Sequence, residues 1–317
     1  MKENTLMNKK ILIVSSANMD LNMRVNVSPL KGQTILGKSY KYVSGGKGAN
    51  SATAFAKLGA DSVFCASMGD DANGEALRQI YKNTGINTDY ILKHPTLTTG
   101  LATVMVEDDG ANTITVFPGA NAALDAEYAI KAASECKPDA VFCHLEIPFS
   151  TVAELSHYCY KENIPVFIDA GPADKSYDIK KLAPVCVFSP NETETEIFTG
   201  INPTDRESCM QAAKSLQAQV DAKYYVLKLG SKGVAVYDGN ELTFIPTYKV
   251  KVVDTTSAGD SFTAAMTLEY MKTGDILRAC RYGNAVASIT VSRAGAGESI
   301  PTLDELEKFV SDNNIII

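Results

Sequence analysis

The sequence predicts an α/β fold: a largely parallel sheet covered by helices on both faces, with a small second sheet standing off it as a lid. Three observations carry this prediction. Short apolar runs alternate with helical patterns through most of the chain, as repeated strand–helix units require. Two regions break that rhythm with polar-faced strands of period two. From residue 258 onward the pattern is mainly helical.

The elements follow in order. ILIV (11–14) is the first buried strand. Lysines precede it, but the run is too short for the apolar stretch of an export signal or for a membrane span. Residues 20–43 form the first lid excursion. NSATAFAKLGA then reads as a helix, SVFCAS (62–67) as a strand and EALRQIYKNTG as a helix. Residues 98–118 are the second lid excursion, and their Asp-Gly pair marks a hairpin turn. The alternation resumes with AVFCHL (140–145), TVAELSHYCYKEN, PVFID (165–169), VCVFS (185–189), SCMQAAKSLQAQ and YYVLKL (224–229). The helical C-terminal part is interrupted by a loop near RAGAGESIP. No long linker or internal repeat is visible, so residues 1–317 are expected to be one domain carrying the lid.

Composition narrows the function. With 45% hydrophobic and 21% charged residues the chain has an ordinary globular mixture. A net charge of −7 leaves no general basic field for nucleic acid, so any bound phosphate must be held by backbone and a few local cations. The seven cysteines contain no Cys-x-x-Cys pair and read as reduced thiols of a cytoplasmic protein, with no zinc site. His94, His144 and His157 fall in no nucleophile–base pattern and read as incidental.

Several short stretches carry chemistry. SGGKGAN, from Ser44, is neither a Walker A loop nor a dinucleotide fingerprint. Gly45, Gly46 and Gly48 permit close backbone approach to a ligand, while Lys47 and Asn50 offer donors. The alternative is a plain tight turn into a helix. In SSANMD, Asn18 and Asp20 are two apart and share one side of an extended segment, an arrangement suited to adjacent hydroxyls. Glu146 follows the AVFCHL strand, at the sheet edge where ligands bind in open parallel sheets. Asn191 in NETE is a preferred helix cap, yet Asn191 and Glu194 also suit the orientation of hydrated Mg²⁺. LGSKG (229–233) links two strands and offers backbone to a nucleotide. In VDTTSAGDSF, Asp260 stands in the first turn of a helix, either as a favourable charge on the dipole or as a base beside an anion hole.

The order of these stretches strongly resembles the ribokinase-like carbohydrate kinase family, from about Lys10 to the last helix. GGKGAN and D-T-T-x-A-G-D are its two signatures. The resemblance implies a doubly wound fold with a β-sheet lid, and MgATP-dependent phosphorylation of the primary hydroxyl of ribose. It places the sugar on Asn18, Asp20, Gly46, Lys47, Asn50 and Glu146. Asp260 becomes the general base, and the backbone of Ser257, Ala258, Gly259 and Asp260 the anion hole. It puts the nucleotide beside Asn191, Lys228, Gly230, Ser231, Gly233, Gly259 and Asn284, with Asn191 and Glu194 acting indirectly on Mg²⁺. A monovalent cation, usually potassium, is implied at Asp254, Thr256, Thr290, Arg293, Gly295 and Ser299, several through carbonyls.

The chain departs from the family pattern at Lys228, Asn284 and Ser257, where a small polar residue, a histidine, and a glycine or alanine are common. The expected partners are a small sugar and ATP, with neither nucleic acid nor membrane, and a second copy paired through the lid. The competing readings are a kinase of 2-deoxyribose, a ketohexose or a nucleoside, and a catalytically silent sugar-binding regulator. A nicotinamide oxidoreductase would need a glycine-rich turn after the first strand, where SSANMD stands instead.

Overall fold

The computed structural model describes residues 9–315. The chain begins with β1 (Lys10–Val14), β2 (Asn18–Arg24) and β3 (Ser39–Gly45), followed by α1 (Lys47–Lys57), β4 (Asp61–Gly69) and α2 (Ala72–Asn83). Next come β5 (Ile91–His94), β6 (Gly100–Val106), β7 (Asn112–Phe117), α3 (Ala126–Cys136), β8 (Ala140–His144) and α4 (Phe149–Lys161). The middle of the chain holds β9 (Val166–Asp169), β10 (Val185–Ser189), α5 (Glu192–Thr199), α6 (Arg206–Gln217) and β11 (Ala222–Lys228). The last elements are β12 (Val234–Tyr237), β13 (Leu242–Ile245), α7 (Ala258–Thr273), α8 (Ile276–Val291) and α9 (Leu303–Asp312).

Nine strands form the main sheet in the order β13-β12-β11-β10-β9-β8-β1-β4-β5. Neighbours from β11 to β5 are parallel, and β12 and β13 close one edge as an antiparallel extension. Strands β2, β3, β6 and β7 make the second sheet, in the order β3-β2-β6-β7. The expected doubly wound architecture and its small extra sheet are both present. The first excursion is two strands, Asn18–Arg24 and Ser39–Gly45, separated by a loop, so it is shorter in regular structure than the run 20–43 suggested. β5 and β13, four residues each, were not among the expected strands: neither is buried along its whole length as the equally short β9 is.

Alternation along the strands sorts their side chains into two cores. Ile11, Ile13, Phe142, Phe167, Val187 and Val226 pack with α1, α2, α7, α8 and α9. Leu12, Val14, Val141, Cys143, Ile168, Phe188 and Leu227 pack on the opposite face with α3, α4 and α6. Both faces are therefore apolar, which is why these strands read as continuous hydrophobic runs. β1 lies between β8 and β4, so the chain leaves it in opposite directions on its two sides. The crevice beyond its C-terminal end is the switch point where open α/β sheets bind ligands.

Candidate active site

The crevice is built from the ends of strands and the starts of helices. After β1 the chain turns through Ser15 and Ser16 into β2, bringing Asn18 and Asp20 onto one face of the small sheet. β3 returns antiparallel to β2 and delivers Gly45 opposite Asn18. A side chain at Gly45 would overlap the Asp20 carboxylate where it now stands, so the carboxylate would have to move to admit one. Gly46 has φ 86°, a left-handed value that suits glycine, and a Cβ there would lie 2.9 Å from the Asn18 nitrogen. The glycines thus serve close backbone packing that brings the start of α1 onto the end of β1.

From that start, Lys47 and Asn50 reach the first turn of α7. Asn50 Nδ2 donates to Asp260 Oδ2 at 2.8 Å, and Lys47 Nζ stands 3.6 Å from Asp260 Oδ1. Glu146 Oε2 accepts from the Lys47 amide at 2.9 Å and from the Ser16 hydroxyl. Asn18 is buried, and its Oδ1 accepts from Asn121 Nδ2 at 2.7 Å, a partner that sequence reasoning missed. Asp20 keeps one buried oxygen, Oδ1, without a partner. Burial, reinforced by the charge of Glu146, pushes the Asp20 carboxyl up to about 7. Lys47 is held well above the ordinary lysine range, chiefly by Asp260 and against its own burial, with further help from Asp169, Glu194 and Glu146.

Asp260 is buried in the third position of α7, so the amides of Gly259 and Asp260 belong to a first turn that has no intrahelical acceptors to offer them. Ser257 caps this helix with φ 62°, a conformation that costs a non-glycine residue on the order of 1 kcal/mol. Its Oγ is buried without a partner. The strained, unsatisfied turn faces the crevice and is the strongest structural sign of an anion site there.

Of the implied monovalent-cation residues, Asp254, Thr256 and Gly295 are in direct contact. Asp254 Oδ1 accepts from the amide and hydroxyl of Thr256, at 2.9 and 2.7 Å, and its Oδ2 accepts from the Gly295 amide at 3.2 Å. Asp254 therefore joins the turn that leads into α7 to the loop after α8. Thr290 Oγ1 bonds Ser261 at 3.2 Å, Arg293 pairs with Glu305 at 3.0 Å, and Ser299 Oγ donates to Ala296 O at 2.7 Å.

On the nucleotide side, Asn191 and Glu194 form a reciprocal capping box on α5, through Glu194 N to Asn191 Oδ1 (2.9 Å) and Asn191 N to Glu194 Oε2 (2.7 Å). This is the capping reading of NETE. Glu194 Oε1 is left facing Gly171 and Lys47, so the pair fits a role toward the water shell of Mg²⁺ rather than direct ligation. Gly230, Ser231 and Gly233 form the tight turn between β11 and β12. Asn284 sits on α8 with its amide hydrogens committed to the carbonyls of Ile245 and Pro246, at 3.2 and 3.0 Å. Lys228 turns inward: its Nζ lies 2.6 Å from Asp169 Oδ2 and 3.8 Å from where a Gly259 Cβ would stand.

Two further buried residues beside Asp260 were missed. His144, set aside as incidental, is fully buried, with Nδ1 3.1 Å from Ser15 Oγ, Nε2 3.4 Å from Ser51 Oγ and Nε2 3.8 Å from Asp260 Oδ1. His157 and His94 contact only nearby backbone. Asp169 accepts from Thr263 Oγ1 at 2.7 Å as well as from Lys228. Burial alone would raise its carboxyl, but Lys228, His144 and Lys47 outweigh that and hold it well below the carboxylate range. Parity was the available signal. Ser15, His144, Asp169, Ser189 and Lys228 end or follow five adjacent strands, each two residues beyond an apolar residue of the α7-facing core. His144, Asp169 and Asp260 also lie close enough to ligate one metal ion. The ammoniums of Lys47 and Lys228 already compensate that charge, which disfavours a cation at this point.

Comparison with known proteins matches this arrangement to one family. The model of the pfkB family of carbohydrate kinases matches residues 8–303. A ribokinase from Bacillus subtilis (strain 168) is 34% identical over 304 residues, covering 96% of this chain and 100% of that protein. A deoxyribokinase from Salmonella typhi is 30% identical, covering 96% and 99% of the two chains. The structure of Arabidopsis thaliana ribokinase complexed with ribose and ATP superposes with a TM-score of 0.85 at 30% identity, over 96% of this chain and 99% of that one.

Proposed function

The chain belongs to the pfkB family of carbohydrate kinases, and we propose that it transfers the γ-phosphoryl group of ATP to the 5-hydroxyl of D-ribose. The observation that carries this reading is Asp260: a buried carboxylate held by Asn50 at the first turn of α7, beside Lys47 and the unsatisfied Ser257 turn.

The sugar lies against Asn18, Asp20, Gly46, Lys47, Asn50 and Glu146. In this neighbourhood the carboxylates of Asp20, Glu146, Asp169, Glu194 and Asp260 outnumber the ammoniums of Lys47 and Lys228, which suits a neutral polyol and disfavours a phosphorylated sugar. The similarity to ribokinases of Bacillus and Arabidopsis favours ribose, and that to a deoxyribokinase of Salmonella makes 2-deoxyribose the main alternative.

Asp260 orients the attacking hydroxyl and accepts its proton. In a loose phosphoryl-transfer transition state the nucleophile needs little activation early, so most of the acceleration comes from positioning and charge stabilisation. The amides of Gly259 and Asp260 supply donors where charge spreads over the transferring group. Lys47, close to both Asp260 and the sugar, neutralises the base until substrate arrives. Mg²⁺ brought with ATP supplies further neutralisation of phosphate charge, with Asn191 and Glu194 placed to orient its water. Asp254, Thr256, Thr290, Arg293, Gly295 and Ser299 would hold a monovalent cation, which when bound would stabilise the loop that presents the anion hole. Gly230, Ser231 and Gly233 line the donor's base and ribose with backbone. The small sheet, including the stretches 20–43 and 98–118, closes over the sugar and excludes water, the competing phosphoryl acceptor.

Release of ADP, measured with MgATP and potassium across ribose, 2-deoxyribose, fructose and adenosine, tests the proposal. Ribose is expected to give the highest kcat/KM, with product phosphorylated at its primary hydroxyl. A higher value for another acceptor overturns the ribose assignment. Absence of turnover from folded, sugar-binding protein overturns the kinase.

A further inference from the structure

The geometry points to His144 as a positioning residue for the reaction: a neutral imidazole whose Nε2–H holds the Asp260 carboxylate in place from below the sugar pocket. The inference rests on the reading of Asp260 as the base and adds a residue to it.

The hydrogen-bond inventory determines which ring nitrogen carries the proton. Ser51 Oγ donates to the Asp260 carbonyl at 3.2 Å, so its hydrogen is not available to the ring. The contact between Ser51 Oγ and His144 Nε2, 3.4 Å, then fits Nε2 as the donor, and the nearby Asp260 carboxylate favours the same assignment. With that proton on Nε2, Nδ1 on the far side of the ring is left to accept from Ser15 Oγ, 3.1 Å away. The opposite tautomer would turn an Nε2 lone pair toward both Ser51 Oγ and the Asp260 carboxylate. Burial pushes the imidazole below its ordinary range, opposed by Asp169 and Asp260 and aided by Lys47, so the ring is neutral near pH 7.

This N–H edge lies where two carboxylates converge. Asp260 Oδ1 is 3.8 Å away, and Asp169 stands directly opposite His144 in the pairing of β8 with β9. One oxygen of Asp169, Oδ1, is buried without a partner. Ligand atoms of His144, Asp169 and Asp260 all lie within 4.8 Å of one another. Two carboxylates at that spacing repel or share a proton unless donors stand between them. Lys228 serves Asp169 from one side, Asn50 and Lys47 serve Asp260 from the other, and His144 faces the gap. At 3.8 Å its contact with Asp260 is a dipole–charge interaction, which tightens when the hydroxyl of the sugar draws Asp260 into its working position. A neutral Nε2–H cannot accept the proton that Asp260 takes from the sugar, so the ring orients the base without relaying its proton.

The test is a set of variants assayed for kcat, for KM of both substrates, and for sugar affinity by calorimetry. His144→Met fills similar volume without a donor and is expected to lower kcat by about tenfold or more, with sugar affinity within about threefold of the parent. His144→Gln restores an N–H at the same reach and is expected to recover kcat to within about threefold. Ser15→Ala leaves the ring in place but removes the hydroxyl that fixes its tautomer, and should lower kcat by a few-fold. It decides the matter if the Met variant does not fold. Unchanged kcat in the Met or Ser15→Ala variant overturns the role, as does failure of Gln to rescue or a loss of sugar affinity that matches the loss of kcat. Asp260→Ala, run alongside, reads the base assignment separately. If its turnover equals the parent's, that assignment falls and the role of His144 falls with it.

Discussion

Asp20 couples the sugar pocket to pH. Its folded-state carboxyl, raised to about 7 by burial and by Glu146, retains a proton that the unfolded chain has already lost at about pH 4. Stability from this group is therefore present below about pH 4 and is lost as pH rises toward 7. Urea melts of the parent against Asp20→Asn at pH 4.5 and pH 8 should show the parent losing up to about 3 kcal/mol relative to the variant. A constant difference would mean that Asp20 is already charged in the folded chain at low pH. Asp260→Ala is expected to keep sugar binding while turnover falls at least about a hundredfold, the scale of a lost general base. Calorimetry with steady-state kinetics checks both halves. Asp260, Asn50 and Glu146 were legible because their motifs are contiguous or lie at a recognisable strand end. His144 and Asp169 were not, because their meaning depends on which face of which strand they occupy and on α7, which lies far away in sequence.

At the scale of elements, the ends of β9 and β11 are joined by an ion pair rather than by apolar packing. Lys228 and Asp169 are both buried, and removing only one leaves an uncompensated charge. Lys228→Met should cost about 3–5 kcal/mol in a urea melt, and combining it with Asp169→Asn should recover most of that. Equal losses in the single and double variants would show that the stem of Lys228, not its charge, matters. The start of α5 offers a smaller test. Asn191→Ala should cost about 1 kcal/mol through the lost cap. A fall in turnover well beyond that stability loss, measured at saturating Mg²⁺, would support its second role toward the metal's water. The strands of the main sheet were readable because both their faces are apolar. The four-residue strands β5 and β13 were not, since they take their structure from β4 and β12 beside them. The inward turn of Lys228 was equally hidden, because a lysine before a glycine-rich turn carries no sign of the aspartate that captures it.

For the whole molecule, the small sheet is the feature that a single chain leaves unfinished. Its edge strands β3 and β7 are largely exposed, and Tyr40, Tyr42, Ile114, Val116 and Phe117 present apolar side chains to solvent. Open edges of this kind invite pairing with a second copy. Light scattering should give twice the chain mass, and Tyr42→Asp combined with Ile114→Asp should shift it toward the single-chain value. A single-chain mass for the parent at assay concentration would end the idea of pairing through the lid. The same sheet has a further consequence. β2 begins at Asn18, and β3 ends at Gly45, two residues before Lys47 opens α1. Cover and pocket are thus one continuous piece of backbone, with no joint between them. If the small sheet closes over the sugar as proposed, a substitution that alters its closure is expected to alter sugar affinity as well. Exchanging this sheet with that of a relative would transplant taste along with tempo.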